Sequence, residues 1–180
     1  ARQLVAQHLG SFGTTDLVPI LRDLINDTPP VQVWSDGGLS SPALLQWGLG
    51  GAGFHAPNLC LNIPVEAREL HRLASFDCNA ALQDVYAYTS IPGPLCSSTR
   101  AEIVAVILAL CLPYKLDIAT DSANVVRLLT IIISDPFFRP PKPWGLMANG
   151  DLWELVQKFV LARGGDYLSV RKVKGHALQE

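Results

Sequence analysis

Three carboxylates, Asp36, Glu102 and Asp121, are the residues in this chain best placed to do chemistry. Glu102 is the hardest to explain structurally. It lies in Arg100-Ala101-Glu102-Ile103-Val104-Ala105-Val106-Ile107-Leu108-Ala109-Leu110, and Ala105, Val106 and Ala109 share its helical face at i+3, i+4 and i+7. The carboxylate therefore points toward a core. A buried unpaired charge is expensive, so it needs a cationic partner, a metal ion or a proton. Taken alone, an ion pair with Arg100 explains Glu102 as well as a metal does. Asp36 follows a β-rich run and precedes Gly37-Gly38, where an isolated aspartate usually only caps a turn. Asp121 lies where a strand passes into a helix, a common place for an N-cap aspartate. Together the three have a different meaning. Two sit at strand ends and one faces inward on the intervening helix. The carboxyl ends of neighbouring strands form a crevice where ligands bind, and acidic groups crowded there repel unless cations join them. Such oxygen donors suit Mg2+, which keeps several waters and binds through few protein groups plus substrate phosphate. Phosphodiester cleavage at a two-metal site is the chemistry that follows, the ions activating water and stabilising the departing oxygen.

The elements that must position these residues can be read along the chain. Residues 1–30 contain an amphipathic stretch over 17–25 closed by Asp27-Thr28-Pro29-Pro30, and read as a connecting segment. Residues 31–180 read as one domain. The first core strand falls on Val31-Gln32-Val33-Trp34-Ser35-Asp36 and ends at the Gly37-Gly38 turn signal. A glycine-rich strand over 46–56 and a third over 84–89 complete an antiparallel meander. Residues 57–82, with a short helix over 65–73, look like an insertion. Ser97-Ser98-Thr99 supplies N-cap candidates for the helix carrying Glu102. A fourth strand over 116–120 runs into a helix over 123–133 that Asp121-Ser122 can cap. A proline-rich loop, 135–149, holds Arg139 and Lys142. A helix over 152–162 stops at Gly164-Gly165, and a fifth strand spans 167–173. The order predicts an α/β domain with a five-stranded mixed sheet, three antiparallel strands then two further strands, flanked by helices.

Composition narrows the function classes. With 180 residues and 49% hydrophobic content, the chain can build a substantial core. Its longest apolar run, 103–112, is well short of the about 18 residues a membrane span needs, so a soluble protein with no membrane partner is expected. Cys60, Cys78, Cys96 and Cys111 lack the short paired spacing of a zinc site and read as reduced thiols inside a cell. The formal net charge of −2 lacks the overall signature of a nucleic-acid binder. A local basic patch beside bound divalent cations could still hold phosphates. Gly48-Leu49-Gly50-Gly51-Ala52-Gly53 matches a dinucleotide fingerprint in form, but Phe54-His55-Ala56-Pro57 offers no helix after it. No nicotinamide cofactor is expected, and the glycines read as a strand approached closely by its neighbour.

Ser35-Asp36-Gly37-Gly38, Thr99-Arg100-Ala101-Glu102, Ala119-Thr120-Asp121-Ser122 and Val173-Lys174-Gly175-His176-Ala177 are similar, in order and context, to the four successive motifs of the type 1 ribonuclease H family. The resemblance runs from Val31 onward. It implies hydrolysis of the RNA strand of an RNA·DNA hybrid, with Asp36, Glu102 and Asp121 binding two Mg2+ ions and Mn2+ as a substitute. It implies that His176, on a loop, assists proton transfer or product release, a role that its unperturbed pKa near about 6.5 would suit. An ordinary exposed loop histidine is the competing reading. The family separates RNA from DNA through 2′-hydroxyls, for which Gly37, Gly38, Ser98, Thr99 and Ser122 are the candidates here. Gly38 stands where the family commonly has Ser. The family's fourth acidic ligand follows the Gly-His-Ala motif on a final helix, and Glu180 is too close to His176 to replace it, so the domain reads as truncated before that helix. A fused reverse transcriptase of a retroelement would compensate for the sparsely basic 135–149 loop. Integrases and transposases share the general fold but place their third acidic residue late on a helix, whereas Glu102 precedes Asp121. The alternative outside enzymes is a catalytically inactive connection or docking module of the same fold.

Overall fold

Alternation of apolar and polar residues sets the first strand, β1 (Val31–Ser40), in which Val33 and Ser35 are buried while Gln32, Trp34 and Asp36 face outward. A computed structural model describes residues 29–40, 49–59, 74–79, 84–91, 97–112 and 114–175. The connecting segment expected over 1–30 lies almost wholly outside the described residues, as do the helix expected over 65–73 and His176. β1 pairs antiparallel with β2 (Leu49–Ala56), which pairs antiparallel with β4 (Asp84–Ile91). On its other side β1 pairs parallel with β5 (Leu116–Thr120), which pairs parallel with β6 (Leu168–Lys172). These are the five expected strands in the expected mixed arrangement. A sixth, β3 (Ser75–Asn79), pairs antiparallel with β4 at the sheet edge, giving the order β3-β4-β2-β1-β5-β6. Part of the expected insertion therefore extends the sheet.

β1 departs from expectation at its centre. Asp36-Gly37-Gly38 is strand rather than turn, paired residue by residue with Gly53, Ala52 and Gly51 of β2. Cross-strand pairing has overridden the local turn preference of Asp-Gly. Pairing with β5, by contrast, ends at Trp34↔Ala119. Asp36 thus stands two residues past the point where β1 loses its parallel neighbour. In β2 the close approach expected from the glycines is present: a Cβ on Gly53 would lie 2.8 Å from the Ala87 carbonyl oxygen. The strand continues to Ala56, so the dinucleotide fingerprint has no helix to open.

Three helices cover the sheet face formed by Val33, Phe54, Val85, Ala87 and Ile118. α1 (Ser98–Leu110) lies across β1 and β2, and nine of its residues are buried, which explains a sequence apolar nearly all round. Ser97 caps it, its Oγ accepting the Arg100 N–H at 3.1 Å. α2 (Ala123–Ser134) packs on β6 and buries Val125, Leu129 and Ile132. α3 (Gly150–Arg163) seals both helices with Leu152, Trp153, Val156 and Val160. Each such side chain, fully buried, contributes about 1.5–3 kcal/mol. No helix among the described residues is long and apolar enough to cross a membrane.

Candidate metal centre

The three carboxylates meet. One ligand oxygen from each of Asp36, Glu102 and Asp121 lies within 4.8 Å of the others, with Asp36 exposed, Asp121 half-buried and Glu102 buried. Each comes from a different element: Asp36 from β1 beyond its pairing with β5, Asp121 from the residue after β5, and Glu102 from the first turns of α1.

The local geometry removes competing explanations that the sequence left open. Arg100 does not pair with Glu102. Its guanidinium turns to α3, donating to both carboxylate oxygens of Asp151 at 2.7 and 3.1 Å and to the Asn149 side chain at 3.4 Å. That contact holds the Asp151 carboxyl below its usual range, through the hydrogen bond first and the charge second. Asp121 is not the N-cap of α2. Ser122 holds that position, without a side-chain capping bond.

What surrounds Glu102 is consistent with a site waiting for positive charge. Its carboxyl is raised from 4.5 to about 7, by burial first, then by the nearby negative charges of Asp121 and Asp36. The Gly37 N–H and the Thr120 hydroxyl, both donating to it, work in the opposite direction. A divalent cation would relieve all three raising effects at once, since it would neutralise the cluster and replace the lost hydration. Among the described residues the donor set is all carboxylate oxygen, the ligand type that hard divalent cations prefer.

The other candidate residues fall around this cluster. A Cβ on Gly37 would lie 2.3 Å from the backbone of Ala101 and Glu102, so this glycine is where α1 rests on β1. Around Gly38 nothing lies within 4 Å of such an atom, and a serine would fit there. Ser98 is exposed and Thr99 half-buried in the first turn of α1, while Ser122 is half-buried with its N–H bonded to Thr120 Oγ1 at 3.2 Å. Two further residues adjoin the carboxylates, and the sequence had marked them only as parts of motifs. Thr120 is fully buried and bonded to Glu102. At Gly175, a Cβ would stand 2.2 Å from Asp121 Oδ2, which brings the backbone just before His176 against a carboxylate of the cluster. An alternating strand pattern hides Thr120, and only the glycine beside a histidine hinted at Gly175.

No family model matches the chain, and no curated protein matches it. Solved structures do. The chain is similar to the PFV ribonuclease H domain, at 18% identity and a TM-score of 0.51, over 83% of this chain and 81% of that one. It is also similar to the foamy viral protease-reverse transcriptase in complex with dsDNA, at 17% identity and a TM-score of 0.50, over 81% of each chain. At these identities the likeness is one of fold: the chain has the ribonuclease H fold.

Proposed function

We propose that this domain is a metal-dependent endonuclease that hydrolyses the RNA strand of RNA·DNA hybrids. The single observation that carries the reading is the convergence of Asp36, Glu102 and Asp121 within 4.8 Å, beyond the point where the pairing of β1 with β5 ends. The fold shared with the PFV ribonuclease H domain supports it. Asp36, Glu102 and Asp121 would hold the cations, two Mg2+ ions with Mn2+ as a substitute. Bound there, divalent ions would supply a lowered pKa for water and neutralisation of developing phosphate charge.

The chain's own residues would do the rest. Asp36, exposed, would face an incoming phosphate, whereas Glu102, buried, would anchor the cluster from inside. With its carboxyl raised to about 7, Glu102 would give up its proton to hold a cation at neutral pH. His176, next in sequence to Gly175, would exchange a proton at its imidazole as product leaves. Backbone groups at Gly37 and Gly38, with Ser98, Thr99 and Ser122, are the proposed contacts to RNA 2′-hydroxyls. The likeness to a protease-reverse transcriptase supports reading residues 1–30 as a connection to a polymerase domain and residues 31–180 as the nuclease domain.

The test is incubation of a chain extended past Glu180 with a hybrid labelled on its RNA strand, with and without Mg2+, beside Asp121→Asn. Cleavage of RNA alone, dependent on Mg2+ and lost in the variant, is the expected result. Intact RNA in every lane would overturn the enzyme and leave an inactive docking module of the same fold.

A further inference from the structure

We infer that Thr120 is the positioning residue of the metal centre, its hydroxyl tying the Glu102 carboxylate to the turn that carries Asp121. The inference rests on the reading of the three carboxylates as a cation site and goes beyond it by naming what presets their geometry.

Thr120 ends β5, immediately before Asp121, and is 0% exposed. Its Oγ1 makes two hydrogen bonds. It accepts the Ser122 N–H at 3.2 Å and donates to Glu102 Oε2 at 3.2 Å. A hydroxyl has a single proton. With the amide of Ser122 occupying one acceptor side, that proton is directed at Glu102, and an ionised carboxylate offers only acceptors in return. One oxygen atom therefore joins two separate elements of the site. On one side is the side chain of α1, and on the other the backbone of the β5–α2 turn. A glutamate has a long, flexible side chain whose ordering costs entropy. Held by Thr120 and by the Gly37 amide, Glu102 is fixed before a cation arrives, so the cation does not meet that cost. The same geometry makes an adventitious structural role distinguishable. A hydroxyl that merely satisfied a buried carboxylate would influence stability, whereas one that sets donor geometry must influence metal affinity in the folded protein.

The experiment is calorimetric titration of Mn2+ into the 180-residue chain and into Thr120→Val, Thr120→Ser and Thr120→Ala, with metal-free melting followed by circular dichroism. Val keeps the shape of Thr without its hydroxyl. Ser and Ala both lack the γ-methyl, so any packing loss is common to them and their difference isolates the hydroxyl. Thr120→Ser is expected to retain the parent affinity, and Thr120→Val and Thr120→Ala to bind Mn2+ about tenfold more weakly or worse. Should Val fail to fold, the Ser and Ala pair decides alone. Equal Mn2+ affinity in Ser and Ala overturns the inference while leaving the metal site standing. Absence of Mn2+ binding to the parent chain overturns both.

Discussion

Gly37 and Glu102 touch backbone to backbone: a Cβ on Gly37 would stand 2.3 Å from the Glu102 amide nitrogen and 2.8 Å from the Ala101 Cβ. The contact sets how deeply α1 sits on β1, and so where the Glu102 carboxylate emerges relative to Asp36, one residue before Gly37. Gly37→Ala must therefore push a helix and not a flexible side-chain tip. Overpacking of this kind costs about 1–3 kcal/mol, which a urea midpoint would show. The same shift should abolish Mn2+ binding measured by calorimetry. Gly38→Ser is the control, because nothing lies within 4 Å of the added atom. Its effect on stability should stay within about 0.5 kcal/mol.

A pH dependence follows from Glu102. Folding raises its carboxyl from 4.5 to about 7, so between those values the folded state binds more protons than the unfolded state. Without metal, stability must then fall as pH rises from about 4.5 to about 7, and level off above. At about 1.4 kcal/mol per pKa unit, the ceiling is about 3 kcal/mol. Glu102→Gln removes this slope. Mg2+ should reverse it if the proposed site holds the cation, because the cation would bind the ionised cluster. Melting curves at pH 5 and pH 8 should accordingly show a larger Mg2+-induced rise in Tm at pH 8. A Mg2+ effect that is equal at both values would contradict the assignment of Glu102 as a ligand.

The sequence made these residues legible to different degrees, for physical reasons. Glu102 stood out because a charge on an apolar helix face has few explanations, but its partner could not be read. Arg100, two residues earlier, faces α3 and Asp151 instead, since residues two apart point in different directions around a helix. Asp36 is recognisable on the first strand, while the end of that strand is not. The Asp-Gly-Gly signal is local, and the glycines of β2 that make it a strand are distant in sequence. Strand β3 was invisible because its pairing with β4 is a tertiary choice that periodicity in five residues does not announce. Thr120 and Gly175 gain meaning only from what the fold brings beside them.

Gly175 yields a prediction of its own. With a Cβ there 2.2 Å from Asp121 Oδ2 and 3.1 Å from Asp121 Cγ, Gly175→Ala forces either the carboxylate or the chain after β6 to move. Gly175 lies beyond the last paired residue, Lys172, so the cost to global stability should be small. Its effect belongs in the site. The Mn2+ affinity of Gly175→Ala should fall, and hybrid cleavage with it, while the Tm without metal stays near that of the parent chain. A normal titration curve would show that the chain after β6 yields freely and takes no part in setting Asp121.

Arg163 separates stability from the site. At the end of α3 and 1% exposed, it donates to the carbonyl oxygen of Leu110, the last residue of α1, at 2.9 Å, and to those of Leu112, at 2.5 Å, and Tyr114 in the chain that follows. Burial lowers its pKa to about 10, so it stays charged at neutral pH. Arg163→Leu removes every one of these donors, and each carbonyl left buried without one costs about 1–3 kcal/mol. The loss should be several kcal/mol in urea unfolding, and the Tm should drop steeply. Yet Leu110 is eight residues along α1 from Glu102, about 12 Å at 1.5 Å per residue. At a temperature where Arg163→Leu remains folded, its Mn2+ affinity should therefore match that of the parent chain. Parallel loss of affinity would mean that the two ends of α1 move as one body, and that the carboxylate cluster depends on how the far end is anchored.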